Sequence, residues 1–138
     1  MTTLYLLDTN TVSYIARGRS LAARARLAGL KNDEIACISA ITEAEIRYGL
    51  ARNPNAHALR AAMEGFLARI RMLTWGRDEA KAYGELRAKL EAAGRSLGNL
   101  DLLIAAQAVA ADAVLVTNDK GFSQIKGFRK IENWARDI

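Results

Sequence analysis

Almost every means of cross-linking or soft-metal chelation is missing from this chain. It has one cysteine, Cys37, which can close no internal disulfide and sits in an apolar run, as a buried thiol does. Its one histidine, His57, lies just after the only proline, Pro54, and reads as a surface residue. Zinc chemistry and a histidine-based nuclease are therefore disfavoured. No Pro- or Gly-rich linker, low-complexity tract or internal repeat divides the chain. Long apolar runs are lacking too. The most apolar stretch, Leu102 to Val116, is broken by Gln107 and Asp112 and is too short to span a bilayer. Leu4 to Leu7 meet Asp8 directly, which is no pattern for a signal peptide, so a cytoplasmic location without membrane attachment is expected.

What is present suits one globular domain covering residues 1–138: 51% hydrophobic and 25% charged residues. The net charge is +5, and arginine outnumbers lysine 14 to 6. Arginine matches phosphate oxygens well, yet such a balance also describes an ordinary solubilising surface. Charge permits nucleic acid without identifying it.

Strand and helix signals alternate. Leu4–Leu7, Glu34–Ile38, Arg71–Thr74, Ala113–Thr117 and a short Arg129–Ile131 read as strands. Helices are expected over Thr9–Arg17, Ser20–Leu30 (with Ser20 as N-cap), Thr42–Ala51, Ala56–Ile70, Asp78–Ala93 and Leu100–Ala111. In the Asp78–Ala93 helix, Glu85 and Lys89 can pair at i,i+4, and Gly94 ends the helix. This order predicts an α/β fold: a three-layer α/β/α sandwich on a mainly parallel sheet of four or five strands. Right-handed crossovers gather its strand-to-helix junctions at one edge, where ligands of such sheets bind.

Four acids fall at those junctions, and each has an ordinary explanation. Asp8 can cap the helix after the first strand. Thr42-Glu43-Ala44-Glu45 fits a capping box with Glu45 at N3. Asp101 can offset a helix dipole, and Asp119 can serve in the Asn118–Gly121 turn. Taken singly these explanations suffice; they do not explain the convergence. Like charges about 4 Å apart in partly buried surroundings cost several kcal/mol per pair, and a divalent cation removes that cost. An all-oxygen donor set selects Mg²⁺ or Mn²⁺.

These same residues carry a family resemblance over nearly the whole chain. The quoted stretches are Leu6-Leu7-Asp8-Thr9-Asn10, Ile38 to Gly49 containing Glu45-Ile46-Arg47-Tyr48-Gly49, Gly98-Asn99-Leu100-Asp101, Val116 to Phe122, and Glu132-Asn133-Trp134. In order and spacing the sequence resembles the PIN-domain ribonucleases, and more narrowly the toxin subunits of VapBC-type toxin–antitoxin pairs. The resemblance selects Glu45 over Glu43 as the functional glutamate. It marks Asp119 as the least essential of the four acids, since some relatives carry Asn there. Relatives often have Pro near the positions of Ser96 and Asn99, and this chain has none.

The resemblance implies metal-dependent endoribonuclease activity with Mg²⁺ or Mn²⁺, with tRNA as the expected substrate class. Asp8 and Asp101 would be the main metal ligands. Glu45 would orient or deprotonate the attacking water, and Asp119 would complete the cluster. On the chemistry alone, Asn10 and Thr117 are candidates to support these acids, with packing or capping as the equal alternative, and Arg47, Arg95 and Lys120 are candidates to hold the RNA backbone. A homodimer inhibited by a cognate antitoxin, seated in an apolar groove, is expected on the same ground. Attack by water does not use the 2′-hydroxyl, so the active-site residues alone do not exclude DNA. Two other readings compete: a PIN-like binding module without activity, and a receiver-type phospho-acceptor domain. The second lacks a middle-strand aspartate between Cys37 and Trp75. A haloacid-dehalogenase-like phosphatase would want Asp at position 10, which is Asn.

Overall fold

Five short parallel strands form the middle layer of the computed structural model, which describes residues 1–138. In chain order the elements are β1 (Thr3–Leu7), α1 (Thr9–Ala16), α2 (Leu21–Ala28), β2 (Glu34–Ser39), α3 (Ala40–Arg52), α4 (His57–Leu67), β3 (Arg71–Leu73), α5 (Arg77–Ala92), α6 (Asn99–Ala110) and β4 (Val114–Val116). A 3-10 turn (Lys120–Gln124) and β5 (Lys130–Glu132) complete the chain. The strands lie in the order β3-β2-β1-β4-β5. Chain progression runs outward from β1 on one side and resumes beside β1 on the other. That reversal is where open α/β sheets form their crevice.

The pleat explains the three layers. Tyr5, Leu7, Ile38, Val114 and Val116 pack with α1, α3 and α4, together with Trp134. Their alternates Leu6, Cys37 and Leu115 face α5 and α6 with Phe122 and Ile125. Central strands buried on both faces have no polar alternation, as the Leu4–Leu7 run led one to expect. Burial also pushes the Cys37 thiol up to about 12, so it stays protonated and inert at neutral pH.

Local chemistry sets the helix ends. The Ser20 hydroxyl accepts from Ala23 N–H at 3.0 Å. Helix α5 ends in a Schellman motif: Arg95 N–H reaches Leu90 O at 2.8 Å, Gly94 N–H reaches Glu91 O at 3.0 Å, and Gly94 takes φ +68. Two expectations need correction. The ion pair on α5 is Arg87–Glu91 at 3.0 Å, one turn-face away from Glu85 and Lys89, and it is reinforced by Arg87 donating to Tyr83 Oη. Helix α3 begins at Ala40 rather than Thr42. Strand β2 runs straight into it, and Ser39 is the N-cap, accepting from Ile41 N–H at 3.0 Å. Thr42 and Glu45 therefore do not form a capping box. His57 is exposed at the start of α4, as expected. No helix is long and apolar enough to cross a membrane.

Candidate active site

The carboxyl ends of β1, β2 and β4 lie side by side, and each delivers one acid. Asp8 follows Leu7, which is paired in register with Val116. Its backbone N–H continues the ladder to Val116 O at 3.0 Å, so the side chain starts from the rigid middle of the sheet. Asp8 is only 4% exposed. One carboxylate oxygen caps α1 by accepting from Thr11 N–H at 2.9 Å, and the other accepts from the Thr117 hydroxyl at 2.5 Å. The capping role is therefore real, but it occupies only part of the carboxylate's accepting capacity.

Thr117, just past β4, ties two acids together. While donating to Asp8, its oxygen accepts from the backbone N–H of Asp119 at 3.0 Å. Asp119 is exposed and in turn caps the 3-10 turn, with one oxygen accepting from Gly121 N–H at 2.8 Å. A Cβ at Gly121 would lie 3.1 Å from that oxygen and 3.3 Å from Leu97 Cδ1, so a side chain there would push one of them aside by a few tenths of an ångström.

Glu45 sits one turn into α3, half-buried, and its Oε1 accepts from the Thr9 hydroxyl at 2.6 Å. Thr9 also lies 3.3 Å from the buried Thr42 hydroxyl. Thr9 thus orients the glutamate from across the cleft, a role the sequence did not suggest. Its position directly after Asp8 was the available signal.

Asp101 lies in the first turn of α6, whose N-terminus at Gly98 has no side-chain cap. The first backbone N–H groups and the positive end of the helix dipole therefore remain available to anions there. Helix α6 is locked against the sheet by Gln107, 2% exposed. Gln107 accepts from the Ser39 hydroxyl at 2.9 Å and donates to Thr74 O at 3.1 Å. What looked like an interruption of an apolar run is the bolt that fixes where Asp101 sits.

The acids sense one another. Burial raises the Asp101 pKa above the ordinary aspartate value, and the charges of Asp119, Glu45 and Asp8 raise it further. Asp8 is also raised, chiefly by burial and additionally by Asp119, against the lowering effect of its bonds from Thr117 and Thr11. The four acids therefore lie near enough for the charges of the other three to bear on Asp101. As the side chains stand, no three of them are drawn together tightly enough to grip one ion.

The expected helpers divide. Thr117 is built into the site, whereas Asn10 is exposed and holds none of the acids. Arg47 is taken up by Glu43 at 2.9 Å and Glu64 at 3.1 Å, which removes it as a free phosphate-binding group. Arg95 and Lys120 are exposed and carry no ion pair.

Comparison with known proteins agrees with this fold. The PIN domain family matches residues 5–127. The chain is 35% identical to the ribonuclease VapC2 of Rickettsia felis, over 96% of this chain and 99% of that protein. It is 34% identical to the tRNA(fMet)-specific endonuclease VapC of Salmonella typhimurium, over 95% and 98% of the two chains. Among solved structures, VapBC2 from Rickettsia felis bound to a DNA fragment from its promoter superposes with a TM-score of 0.88. That match has 34% identity and covers 96% of this chain and 99% of the other. DNA-bound VapBC from Salmonella typhimurium gives 0.86 at 32% identity, covering 97% and 99%.

Proposed function

This chain belongs to the PIN-domain family, in its VapC branch, and from that premise we propose that it is a Mg²⁺- or Mn²⁺-dependent endoribonuclease, the toxin of a toxin–antitoxin pair. The observation that carries the reading is the convergence of Asp8, Glu45, Asp101 and Asp119 from four separate elements on one sheet edge, where burial, and after it the charges of neighbouring acids, raises the pKa of Asp8 and Asp101. A cluster of hard oxygen donors with no histidine or thiol partner fits a divalent cation of the Mg²⁺ or Mn²⁺ type. Asp8 and Asp101 would hold it. When bound, the ion supplies Lewis acidity toward water and toward the phosphoryl oxygens.

The chain's own groups account for the rest. Thr117 and Thr11 fix the Asp8 carboxylate in one rotamer. Thr9 holds Glu45 Oε1, leaving Oε2 to take a proton from the attacking water. Asp119 closes the outer side of the cluster. The uncapped start of α6 offers N–H groups to the phosphate of the substrate. The name of the Salmonella relative supports transfer RNA as the substrate class.

A cavity of about 670 Å³ lies away from the acids, between α1, α2 and α4, walled by Ile15, Leu27, Leu30, Phe66 and Ile70. Such a groove suits the apolar face of a partner helix, and the VapBC neighbours support a cognate antitoxin as its occupant. We carry the homodimer and the cytoplasmic location as parts of the same reading. The receiver-type alternative loses its footing, because no aspartate ends β2 or β3.

Cleavage of an RNA pool, with and without Mn²⁺ or Mg²⁺, tests the assignment against Asp8→Asn and Asp101→Asn. Metal-dependent cleavage lost in both variants is the expected result. Undiminished cleavage by the variants, or by wild type in EDTA, would overturn the metal-site assignment, and wild type that cleaves nothing with either ion would leave the inactive binding module as the better reading. Sedimentation of the purified chain measures the dimer.

A further inference from the structure

Beside the acidic edge, and separate from it, a cavity of about 420 Å³ opens between the end of α5 and the 3-10 turn. Its floor is Leu86, Leu90 and Ile125, and Lys89, Arg95 and Lys126 stand around it. None of these three cations forms an ion pair. Lys89 is free because the carboxylate expected beside it does not reach it, and Glu91 is engaged by Arg87 instead. Gln124 is fixed by donating from Nε2 to Gly121 O at 3.1 Å and Ser96 O at 3.4 Å, and its amide oxygen accepts from nothing in the chain.

We propose that this cavity binds one unstacked nucleotide of the RNA substrate, with its base on the apolar floor and its flanking phosphates on Lys89, Arg95 and Lys126. The inference rests on the ribonuclease reading and deepens it. An apolar pocket ringed by unpaired cations matches the two halves of a nucleotide, a flat base and a charged backbone. The volume falls within the range of small-ligand pockets. The free Gln124 oxygen favours a base that presents an N–H. The position suits a substrate already held at the acids. Gln124 is five residues from Asp119 along a 3-10 turn, roughly 10 Å at about 2.0 Å rise per residue. Arg95 precedes Asp101 by one short loop. The pocket therefore reads a nucleotide near the scissile bond rather than the one being cut, and it gives the enzyme a means of selecting unpaired RNA.

Two variants separate charge from shape. Lys89→Ala/Lys126→Ala removes cations and keeps the cavity. Ala93→Phe, at an exposed position on the cavity wall, fills it and keeps the cations. Binding of a fluorescein-labelled, mixed-sequence single-stranded RNA is measured by anisotropy in EDTA across a salt series. A duplex of the same sequence serves as comparison, and thermal melting checks the fold. The double variant should weaken single-strand binding and lower the log–log salt slope by about 1.4, at about 0.7 per lost phosphate contact. Ala93→Phe should weaken single-strand binding about 10-fold with the salt slope unchanged and duplex binding unaffected. In cleavage, the loss should appear in KM.

Folded variants that bind single strands like wild type, or an Ala93→Phe variant that weakens duplex binding equally, would overturn the proposal. So would a variant whose only change is in oligomeric state or antitoxin binding, which would make the cavity a protein contact. Wild type that cleaves RNA while the variants bind normally refutes this inference alone. Wild type that neither binds nor cleaves RNA removes the ribonuclease reading with it.

Discussion

Replacing Asp8 by asparagine separates two jobs that one side chain performs. As the N-cap of α1, asparagine is about as good as aspartate, so the capping difference is a few tenths of a kcal/mol at most. Its Oδ1 keeps the 2.9 Å bond from Thr11 N–H. Its amide group faces the Thr117 oxygen and donates where the carboxylate had accepted. What disappears is a buried charge. Burial raises the Asp8 pKa in the folded state, and for an acid this means that the unfolded chain releases its proton first. Stability therefore falls as pH rises from the ordinary aspartate value of 3.8 through the raised one, and the loss is complete once that raised value has been passed.

Asp8→Asn carries no such loss. It should melt at or above wild type at pH 7 in EDTA, and the gap should narrow on acidification through that window. Asp8→Ala forfeits the cap, about 0.5–2 kcal/mol, and a hydrogen bond to a charged group, about 1.5–3 kcal/mol. At about 3–5 °C per kcal/mol for a chain of this size, it should melt roughly 10 °C lower. Both variants should lose RNA cleavage by about 100-fold or more, the size expected for a lost catalytic function. Differential scanning calorimetry over a pH series, alongside cleavage with Mn²⁺, reads both effects. An Asp8→Asn protein that cleaves RNA normally would show that the residue is a cap and nothing more, and one destabilised as much as Asp8→Ala would show that the carboxylate charge stabilises the fold, against the reasoning given.

Thr117→Val removes the donor to Asp8 and the acceptor for Asp119 N–H together, and urea denaturation should record a loss of about 2–4 kcal/mol. Thr117→Ser should stay near wild type, and equal behaviour of the two variants would refute the hydroxyl's role. Gln107→Leu leaves the Ser39 hydroxyl and Thr74 carbonyl without their partner. Unfolding should become easier by about 2–5 kcal/mol, and a neutral result would mean that α6 is positioned by packing alone. Mn²⁺ at about 100 times its Kd should add about 2.7 kcal/mol to wild type, and little to Asp8→Asn/Asp101→Asn. Melting curves with and without the ion check this, and equal shifts would place the metal elsewhere. Cys37 should resist a thiol reagent such as Ellman's until the protein is unfolded; rapid labelling of the native protein would contradict its burial.

The layer architecture was legible because its signals are local. Uninterrupted runs at Leu4–Leu7 and Val114–Val116 mark strands covered on both faces, and Gly94 and Ser20 mark helix ends by their own backbone and hydroxyl chemistry. The four acids were legible because parallel topology converts sequence position into location: whatever follows a strand is carried to the same edge. Glu45 shows where this fails. Threonine followed three residues later by glutamate satisfies a capping box, yet the same spacing sets two side chains on one helical face. Only the direct passage of β2 into α3 at Ser39 decides between the two. Thr9 and Gln107 were hidden for a different reason. Their partners lie 36 and 68 residues away, respectively, and no local pattern signals a bond across that distance. Arg47 likewise looked available until α4 brought Glu64 alongside it.

Strand β1 is made first during synthesis but stands in the middle of the finished sheet, between β2 and a β4 that begins only at Val114. Asp8 cannot accept its hydrogen bond from the Thr117 hydroxyl, nor Tyr5 pack against Trp134, until nearly all of these residues have left the ribosome. Contacts of such long sequence separation form late and cooperatively. A chain that stops before Val114 therefore lacks the partner strand of β1 on that side, and Thr117 can join Asp8 to Asp119 only after β4 has docked.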